Sequence, residues 1–402
     1  MKRYTCIPLL RQVYVFSGFR ISQVFLTEKE LRISLEKTRK TGKCADCGKR
    51  CRMIEDVYER EIRDLDFVGR KTHVILKEFK VLCTCGYRGI EKLDFLDKYC
   101  LYTKRFEDYI ALLCEKMTLK DVSQLCKIDW KTAKNIDKKY LAQQIVPLSG
   151  LAPMKIGVDE IAYEKGHHYI TVVRDIILNK VIWVGLERKK ETLDGFFAEL
   201  GKEKSAKIEI AVMDMWDPYI ASVKENCPNA EIIFDKFHIS KKVNEALDSI
   251  RKTEFRKADK EERIGMKKKR FLILSRQERL QPEQKETVED LKRINAKLYE
   301  AYLLKEQILD IFTETNWHSA AIRLGKWIAN VERLGIEAYK KVISMLRDHW
   351  YGIVNYFKYQ LTNAASEGFN NKINIIKRRA YGFRDISYFM LKILQSCGWR
   401  SS

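Results

Sequence analysis

The spacing of hydrophobic residues predicts a β-rich segment at the start of the chain. Short runs such as residues 72–82 (THVILKEFKVL) are rich in β-branched and aromatic side chains, which favour strands. Cysteine, glycine and charged residues separate these runs. We therefore expect a small β module over residues 1–100.

A helical pattern replaces the strands between residues 104 and 141. Apolar residues recur there every three or four positions, from Phe106 to Met117, so that they share one helix face. Two short helices are then predicted, at residues 119–126 and 130–140, with a three-residue turn between them. This spacing is typical of a helix-turn-helix, and we assign residues 101–150 to a DNA-binding region.

A turn-rich segment at residues 147–153 (PLSGLAP) marks a domain boundary, because proline and glycine interrupt regular structure. Beyond it the pattern predicts the order βββαβαβα. In this order three antiparallel strands lead into two parallel ones, as in the ribonuclease-H-like fold. The predicted elements are strands at 154–163, 169–178 and 181–187, a helix at 190–200, a strand at 208–214, a helix opened by Asp217-Pro218, a strand at 231–235 and a helix from 237 onward.

The remaining residues read as helices. Residues 251–360 carry amphipathic, highly charged patterns without a convincing strand, which indicates a helical insertion. A last helical pattern begins near Asn363 and continues into a basic stretch. The predicted fold class is multidomain α+β: a zinc-binding β module, a helix-turn-helix, and a ribonuclease-H-like α/β catalytic domain whose parts, 151–250 and 361–402, flank the insertion.

Three carboxylates from distant parts of the chain are candidates for a metal site. Asp159 lies within the first strand of the catalytic domain, Asp214 closes the fourth, and Glu367 lies in the late helix. A ribonuclease-H-like sheet would bring these positions together. Carboxylate oxygens suit magnesium or manganese, and two such ions roughly 3.5–4 Å apart would activate an attacking hydroxyl and stabilise the leaving oxygen of a phosphodiester. We expect Asp159, Asp214 and Glu367 to be catalytic metal ligands.

Neighbouring acids compete for these roles. Asp217 precedes a proline and better suits a helix N-cap. Glu160 would point to the other face of a regular strand, and Asp175 would lie in the second strand. Glu160 and Asp175 both remain alternatives.

His238 lies where the fifth predicted strand turns into a helix, in the segment Asp235-Lys-Phe-His238. In one interpretation Asp235 caps the helix and His238 is structural. In the other, His238 lies near the scissile phosphate as an orienting or proton-handling group. We include His238 among the candidate catalytic residues.

Two cysteine pairs predict a structural zinc site. The motifs at Cys44 to Gly48 and Cys83 to Gly86 each place glycine directly after the second sulfur, where a tight turn needs positive φ. The predicted ligands are Cys44, Cys47, Cys83 and Cys85. The second pair is one residue shorter than the common spacing, so Cys51 or His73 stays open as a replacement ligand. The other cysteines are scattered, which favours burial: Cys6, Cys100, Cys114, Cys126, Cys227 and Cys397.

Basic and polar residues on the second helix of the helix-turn-helix could meet base edges and phosphates in the major groove. The alternative is a pair of packed helices with a solvated basic face. A second basic run follows Glu367 by about three helical turns, which would place it on DNA near the metal site. The candidate DNA-binding residues are Lys131, Thr132, Lys134, Asn135, Lys138, Lys377, Arg378 and Arg379.

Composition supports a nucleic-acid partner. The 402 residues include 76 basic and 55 acidic side chains, and the net charge of +21 favours a polyanion. No run approaches the ~18 apolar residues of a membrane span, and Arg11 and Gln12 break the opening segment. The odd number of cysteines, 11, argues against a disulfide framework. We therefore expect a soluble intracellular protein that does not bind membranes.

Together these features resemble the bacterial insertion-sequence DDE transposases of the ISL3 group. The resemblance spans nearly the whole chain. It implies that Asp159, Asp214 and Glu367 take the DDE roles, and that residues 235–238 match the family's strand-end acid and histidine. It rests on the cysteine module followed by IRDLDFVG, the helix-turn-helix, and the strings IGVDEIAYEKGHHYITVV, AVMDMWDPYIASVKENCPNAEIIFDKFHISKKVNEALDSIR and NAASEGFNNKINIIKRRAYGFRD.

The resemblance also implies a reaction. The terminal inverted repeats of the element are recognised, metal-activated water cleaves at its ends, and the liberated 3′ hydroxyl attacks target DNA without a covalent protein–DNA intermediate. The implied partner is double-stranded DNA, both element ends and target. We expect a homodimer or higher assembly in the synaptic complex, in a cytoplasmic bacterial protein that associates with the nucleoid when bound.

Other functions are weighed against this one. None of the histidines is followed three residues later by Arg, as tyrosine recombinases require, and the phosphate-binding loop of nucleotide-driven motors is absent. A catalytically silent, domesticated DNA-binding regulator is the alternative. It predicts DNA binding without cleavage, and the carboxylates at all three positions argue against it.

Overall fold

The computed structural model describes residues 2–3, 10, 12, 14–164, 166–267 and 269–398, without the side chains of residues 2, 3 and 364–367. The chain forms two compact units, Met1–Gln143 and Gln144–Ser402. Within the described residues, no helix is both long and apolar enough to cross a membrane.

The N-terminal unit begins with the predicted β module. Its strands are β1 (Lys2–Arg3), β2 (Phe19–Leu26), β3 (Glu30–Lys37), β4 (Gly42–Lys43), β5 (Arg50–Cys51), β6 (Met53–Phe67), β7 (Arg70–Leu82) and β8 (Arg88–Ile90). One sheet has the order β1-β2-β3-β7-β6, with β8 alongside β7, and β4 and β5 form a separate hairpin. Only the β3–β7 pair of this sheet is parallel among the described strands.

A long hairpin, β6–β7, dominates this sheet. Val68 and Gly69 form its two-residue turn with φ angles of 48° and 75°. Positive φ at both positions defines the turn type whose twist matches that of paired strands. Because β7 ends at Leu82, the hairpin carries the second cysteine pair at its far end.

Three helices complete the N-terminal unit: α1 (Lys104–Lys116), α2 (Leu119–Cys126) and α3 (Trp130–Gln144). The bounds of α2 agree with the prediction, and α3 ends four residues later than predicted. Thr118 and Asp121 cap the start of α2 reciprocally, and Lys127 ends it in a left-handed conformation with φ of 53°. The side chain of Asp129 accepts a hydrogen bond from the backbone N–H of Lys131 at 2.8 Å, which fixes the start of α3. The predicted turn between the two helices is therefore confirmed.

The C-terminal unit contains a mixed five-stranded sheet. Its first elements are β9 (Lys155–Glu164), β10 (His168–Asp175), β11 (Lys180–Leu186), α4 (Lys190–Leu200), α5 (Lys202–Ser205), β12 (Ile210–Met213), α6 (Asp217–Asn226), β13 (Glu231–Phe234) and α7 (Lys236–Lys257). The sheet order is β11-β10-β9-β12-β13, in which β11, β10 and β9 are antiparallel and β9, β12 and β13 are parallel. The predicted order of strands and helices is confirmed, with small shifts at the ends.

Both faces of this sheet are buried. On one face, Val158 of β9 packs in a core with Phe196 of α4 and Val243 of α7. On the other face, Ile161 of β9 packs with Ile373 and Phe389 from the last two helices. The alternation of side chains along β9 therefore sends successive residues toward different helices.

In its described residues, the segment 251–360 is mainly helical, as its pattern predicts, and its apolar residues continue the first of these cores. Its helices are α8 (Lys260–Met266), α9 (Arg270–Leu274), α10 (Pro282–Glu289), α11 (Leu291–Ile294), α12 (Ala296–Ile311), α13 (Trp317–Leu334), α14 (Lys340–Asp348) and α15 (Trp350–Tyr359), and the chain ends in α16 (Ala364–Arg379) and α17 (Ile386–Cys397).

Candidate functional site

Asp159 and Asp214 meet where β9 continues beyond the end of its parallel neighbour β12. Asp159 lies in β9, and Asp214 directly follows β12, which pairs with β9 in parallel register. Together with Glu160, they offer carboxylate oxygens that all lie within 4.8 Å of one another. The predicted convergence of Asp159 with Asp214 therefore agrees with the structure.

Glu160 joins this group although strand alternation predicts that it faces away from Asp159. The side chain of Asp159 contacts helix α16, and Glu160 lies 3.2 Å from the guanidinium of Arg188, which follows β11. Because β12 ends at Met213, Asp214 lies beyond the strand. Its side chain is therefore not confined to one face of the sheet and can approach acids on both faces. Asp214 is thus close to both acids. Glu160 is a stronger candidate for a metal ligand than strand alternation predicts.

Helix α16 is fixed against β9 beside Asp159. The side-chain amide of Asn370 donates to Asp159 at 3.0 Å. Buried Asn363, just before the helix, accepts from Arg174 at 2.6 Å and donates to the carbonyl of Val158 at 3.4 Å. Gly157 makes this approach feasible, since a Cβ there would lie 2.8 Å from the Asn363 side chain.

The predicted third ligand, Glu367, belongs to α16 by its backbone, but its side chain lies outside the described residues. It precedes Asn370 by three residues, which is about one helical turn.

His238 is confirmed as a neighbour of the carboxylates. Asp235 caps α7 by accepting the backbone N–H of Phe237 at 3.0 Å, and this places His238 in the first turn. The Nε2 atom of His238 lies 2.8 Å from the Asp214 carboxylate. Burial lowers the pKa of His238. The negative charges of Asp214, Asp235 and Asp159 raise it by more than burial lowers it, so the pKa is raised overall. The Asp235 cap of the first interpretation is present, and it places His238 beside Asp214, whereas the role of His238 at the scissile phosphate stays a prediction.

Burial and the neighbouring Asp214 raise the pKa of Asp159 and of Glu160. Burial, followed by repulsion from Asp214, raises the pKa of Asp159 to about 6. The same two causes raise the pKa of Glu160. The group is therefore suited to a divalent cation, whose charge would favour the ionised carboxylates.

Two competing acids have structural roles. Asp175 ends β10 and accepts the backbone N–H of Leu178 at 3.0 Å, which closes the turn to β11. Asp217 is exposed and is the first residue of α6, whereas Trp216 holds the N-cap position without a side-chain bond. The N-cap assignment of Asp217 was therefore wrong by one residue, a common uncertainty at helix ends.

The predicted cysteine cluster is confirmed as a group. The sulfur atoms of Cys44, Cys47, Cys83 and Cys85 lie within 4.8 Å of one another, as a metal site requires. Gly48 and Gly86 have the predicted positive φ angles, 71° and 96°. A backbone hydrogen bond at Cys85 lowers the pKa of the Cys83 thiol to about 6, which favours the thiolate.

The alternative zinc ligands fit less well. His73 lies on β7 with Nδ1 2.8 Å from the Glu61 carboxylate. The sulfur of Cys51 is outside the group of four converging sulfur atoms and lies 3.8 Å from the carbonyl oxygen of Lys49. Most of the scattered cysteines are buried as expected: Cys114, Cys126, Cys227 and Cys397 are buried and Cys100 is half-buried, whereas Cys6 lies outside the described residues.

The candidate DNA-binding residues differ in their exposure. On α3, Lys131 and Asn135 are exposed, and Thr132, Lys134 and Lys138 are half-buried. On α16, Arg378 and Arg379 are exposed, whereas the Lys377 ammonium donates to the carbonyl of Ala162 at 2.9 Å. Lys377 thus helps to hold the helix on the sheet, a contact that the sequence did not predict.

Comparison with known proteins agrees with this arrangement. A family model described as "Transposase" matches residues 156–393, and one described as "Helix-turn-helix domain of transposase family ISL3" matches residues 91–141. Among curated relatives, "Transposase for insertion sequence element IS1001" of Bordetella parapertussis is 29% identical over 394 residues, covering 96% of this chain and 97% of the relative. "Transposase for insertion sequence element IS1557" of Mycobacterium tuberculosis (strain CDC 1551 / Oshkosh) is 25% identical over 367 residues, covering 85% and 82%.

A carboxylate cluster in one unit and a helix-turn-helix in the other define a DNA-binding enzyme of the DDE transposase class. The family match covers more than half of the chain and includes the three acids and the mixed sheet around them. The chain belongs to the ISL3 family of insertion-sequence transposases.

Proposed function

We propose that this transposase binds the terminal inverted repeats of its insertion sequence and performs metal-dependent phosphodiester hydrolysis and strand transfer. The observation that carries the proposal is the meeting of Asp159, within β9, with Asp214, which directly follows the neighbouring strand β12, inside the region that matches the transposase family. Water and a 3′ hydroxyl would be the successive nucleophiles, and double-stranded DNA the substrate at both steps.

The catalytic domain adopts the ribonuclease-H-like fold in this proposal. Support comes from the sheet order, in which three antiparallel strands precede two parallel ones and helices cover both faces. Residues 151–250 and 361–402 would form this domain, with residues 251–360 inserted between them. The β module at 1–100 and the helix-turn-helix at 101–150 would precede it.

Glu367 is proposed as the third catalytic carboxylate. Support comes from the docking of α16 on β9. Asn363 and Asn370, which precede and follow Glu367 in the sequence, donate hydrogen bonds to Val158 and Asp159 of that strand. Glu160 would stay paired with Arg188 and complete the acidic environment.

The carboxylates fit two magnesium or manganese ions, since hard oxygen ligands stand close together in a buried setting. When bound, such ions activate the attacking hydroxyl and stabilise the departing oxygen. The chain's own residues prepare the site: Asn370 and the backbone N–H of Glu160 each donate to Asp159 and fix its carboxylate. His238, 2.8 Å from Asp214, would orient that carboxylate and handle a proton near the scissile phosphate.

A structural zinc ion is proposed for Cys44, Cys47, Cys83 and Cys85. The donor set is four thiolates, which suits a closed tetrahedral site, and the glycine turns bring both pairs to the same place. The ion would join the β4–β5 hairpin to the end of β7.

DNA recognition is assigned to α3 and to the end of α16. Lys131, Thr132, Lys134, Asn135 and Lys138 would read and hold the inverted repeat in the major groove. Arg378 and Arg379, with Lys377 anchoring their helix, would contact the DNA backbone near the acids. Two or more copies would pair the element ends in a synaptic complex.

The test is a cleavage assay with purified full-length protein, magnesium and a duplex carrying the element's own end. Wild-type protein should cut, and Asp214→Asn should lower the rate by more than about 100-fold, because a direct ligand matters more than the outer-shell groups whose loss costs 10–100-fold. Asp217→Asn, an exposed acid three residues on, is the matched control and should retain activity. Cleavage that survives Asp214→Asn would contradict the assignment, and a wild-type protein that binds without cutting would favour the silent regulator.

A further inference from the structure

A cavity of about 160 Å³ lies beside the carboxylates, between the β9–β10 hairpin and the residues that follow β11. Aromatic rings line one part of it, where the centroids of Tyr163 and His168 are 5.8 Å apart. Cationic side chains line the other part: Arg188 is one-third exposed and Lys189 is mostly exposed. The cavity therefore combines ring faces with positive charge.

The backbone around this cavity departs from regular geometry at three places. The pairing of β9 with β10 shifts between His168 and Tyr169, which leaves Tyr163 as the extra residue of a bulge. His167 and Glu187 both line the cavity with left-handed φ angles of 67° and 70°. Bulges and left-handed non-glycine residues concentrate next to ligand sites, where they re-aim side chains.

Arg188 connects the cavity to the metal-binding acids. Its guanidinium stacks on the rings of Tyr169 and Trp216, with centroid distances of 4.2 and 4.6 Å, and donates to Glu160 at 3.2 Å. The indole of Trp216 donates to the carbonyl of Arg188 at 3.0 Å, and the backbone N–H of Trp216 donates to the carbonyl of Asp214 at 2.8 Å. Arg188 is thus held rigidly between the cavity and the carboxylates.

This combination suits one unpaired nucleotide of a DNA strand. Base faces stack on aromatic rings, and a guanidinium with five donors recognises phosphate oxygens. Among the described residues, Glu187 is the one acid that lines the cavity, and it lies 2.6 Å from the ammonium of Lys189, so a cation already offsets its charge. Because Arg188 lines the cavity and donates to Glu160, a strand cleaved at the acids would also pass the cavity.

We infer that the cavity formed by Tyr163, His168, Tyr169, Arg188 and Lys189 is a subsite for the nucleotide that flanks the scissile phosphate. Its base packs against Tyr163 and His168, and its phosphate binds Arg188 and Lys189. This inference rests on the proposed DNA cleavage and adds a residue set that positions the strand.

The test combines abasic DNA with ring-deleted protein. Duplexes carry the element's end with a single abasic position, placed in turn at each of the few nucleotides on either side of the cleavage point. For wild-type protein, one position should slow single-turnover cleavage about tenfold, the scale of one stacked base. Tyr163→Ala should show the same loss on intact DNA and little further loss on that abasic duplex. Tyr163→Phe keeps the ring and should restore most of the cleavage that Tyr163→Ala loses, together with the sensitivity to that abasic position.

Two further variants keep the result decisive if Tyr163→Ala does not fold. His168→Ala removes an exposed ring and should, like Tyr163→Ala, slow cleavage of intact DNA with little further loss on that abasic duplex. His318→Ala, which removes an exposed histidine on α13, should leave the rate unchanged. If wild-type protein cleaves all abasic duplexes equally, the subsite is overturned while the proposed function stays intact. The same conclusion follows if the rate loss from the ring deletion and the rate loss from the abasic position multiply when they are combined. A wild-type protein that cuts no duplex at all would overturn the proposed function itself.

Discussion

At the scale of single residues, the candidate site depends on how Asp159 is held. Asn370 donates to one of its oxygens and the backbone N–H of Glu160 to the other, at 3.0 and 2.8 Å. Burial and the charge of Asp214 oppose ionisation of this carboxyl, so these donors fix its orientation while a bound cation supplies the balancing charge. Outer-shell groups of this kind commonly tune metal affinity.

We expect Asn370→Ala to slow DNA cleavage by about 10- to 100-fold, the usual cost of losing an outer-shell partner. Binding to the element's end should not change, since Asn370 contacts an acid and not the DNA-reading helix. Asn371→Ala alters the next residue, which is exposed, and serves as the control. Equal rates for the two variants would show that the contact with Asp159 has no role in the reaction.

The sequence predicted Asp159, Asp214 and His238 but not their partners. A strand pattern places Asp159 in β9 and a helix cap places His238, and both are local signals. Asn370, Arg188 and the approach of Glu160 depend on how α16 and the residues after β11 dock on the sheet. Such contacts join positions far apart in the chain, and no local periodicity encodes them.

At the scale of elements, the cysteine turns and the helix-turn-helix were readable from the sequence because both follow fixed spacing. Gly48 and Gly86 have the positive φ that the motif requires, and α2 begins and ends at the residues predicted from the sequence pattern. The parallel pairing of β3 with β7 could not be predicted from the sequence. The alternation of apolar and polar residues shows which side chains face the core, but it does not show which strands are neighbours.

We expect purified protein to contain about one zinc ion per chain, held by four thiolates. Cys47→Ser should lose most of this zinc and lower the temperature at which the protein unfolds, because the ion joins separate turns. Metal analysis and thermal unfolding measure these effects, and Cys100→Ser, outside the cluster, should match wild type. Full zinc content in Cys47→Ser would exclude the proposed ligand set.

We expect Asn135→Ala to weaken binding to the element's end by about 5- to 100-fold, since a side-chain contact with a base is worth roughly 1–3 kcal/mol. Fluorescence anisotropy with an element-end duplex and a scrambled duplex measures the loss, which should be confined to the former. Gln143→Ala, exposed about two turns further along α3, should have little effect. An equal loss on both duplexes would assign Asn135 to phosphate contact and not to base recognition.

At the scale of the whole molecule, charge and architecture point to the same partner. A net charge of +21 would attract DNA of any sequence, and in the proposed function α3 would supply the selective contacts. The two compact units would then divide recognition from chemistry.

We expect DNA binding to weaken by about 10³- to 10⁵-fold between about 50 and 200 mM salt, as for proteins that make six to ten phosphate contacts. Titrations at several salt concentrations give the slope. Arg378→Ala should reduce that slope by about 1 without changing sequence preference, if this exposed side chain contacts a phosphate. A slope near zero would be inconsistent with the role given to the basic charge.

The central claim, that acids from three distant segments surround the same ions, can be tested by replacing magnesium with ferrous iron. Iron at the site, with ascorbate and peroxide, produces radicals that cut the nearby polypeptide, and the fragments are mapped by mass spectrometry. We expect cuts near residues 159, 214 and 367 together, suppressed by excess magnesium and absent in Asp214→Asn. Cuts near 159 and 214 without any near 367, or a pattern unchanged in Asp214→Asn, would contradict the account.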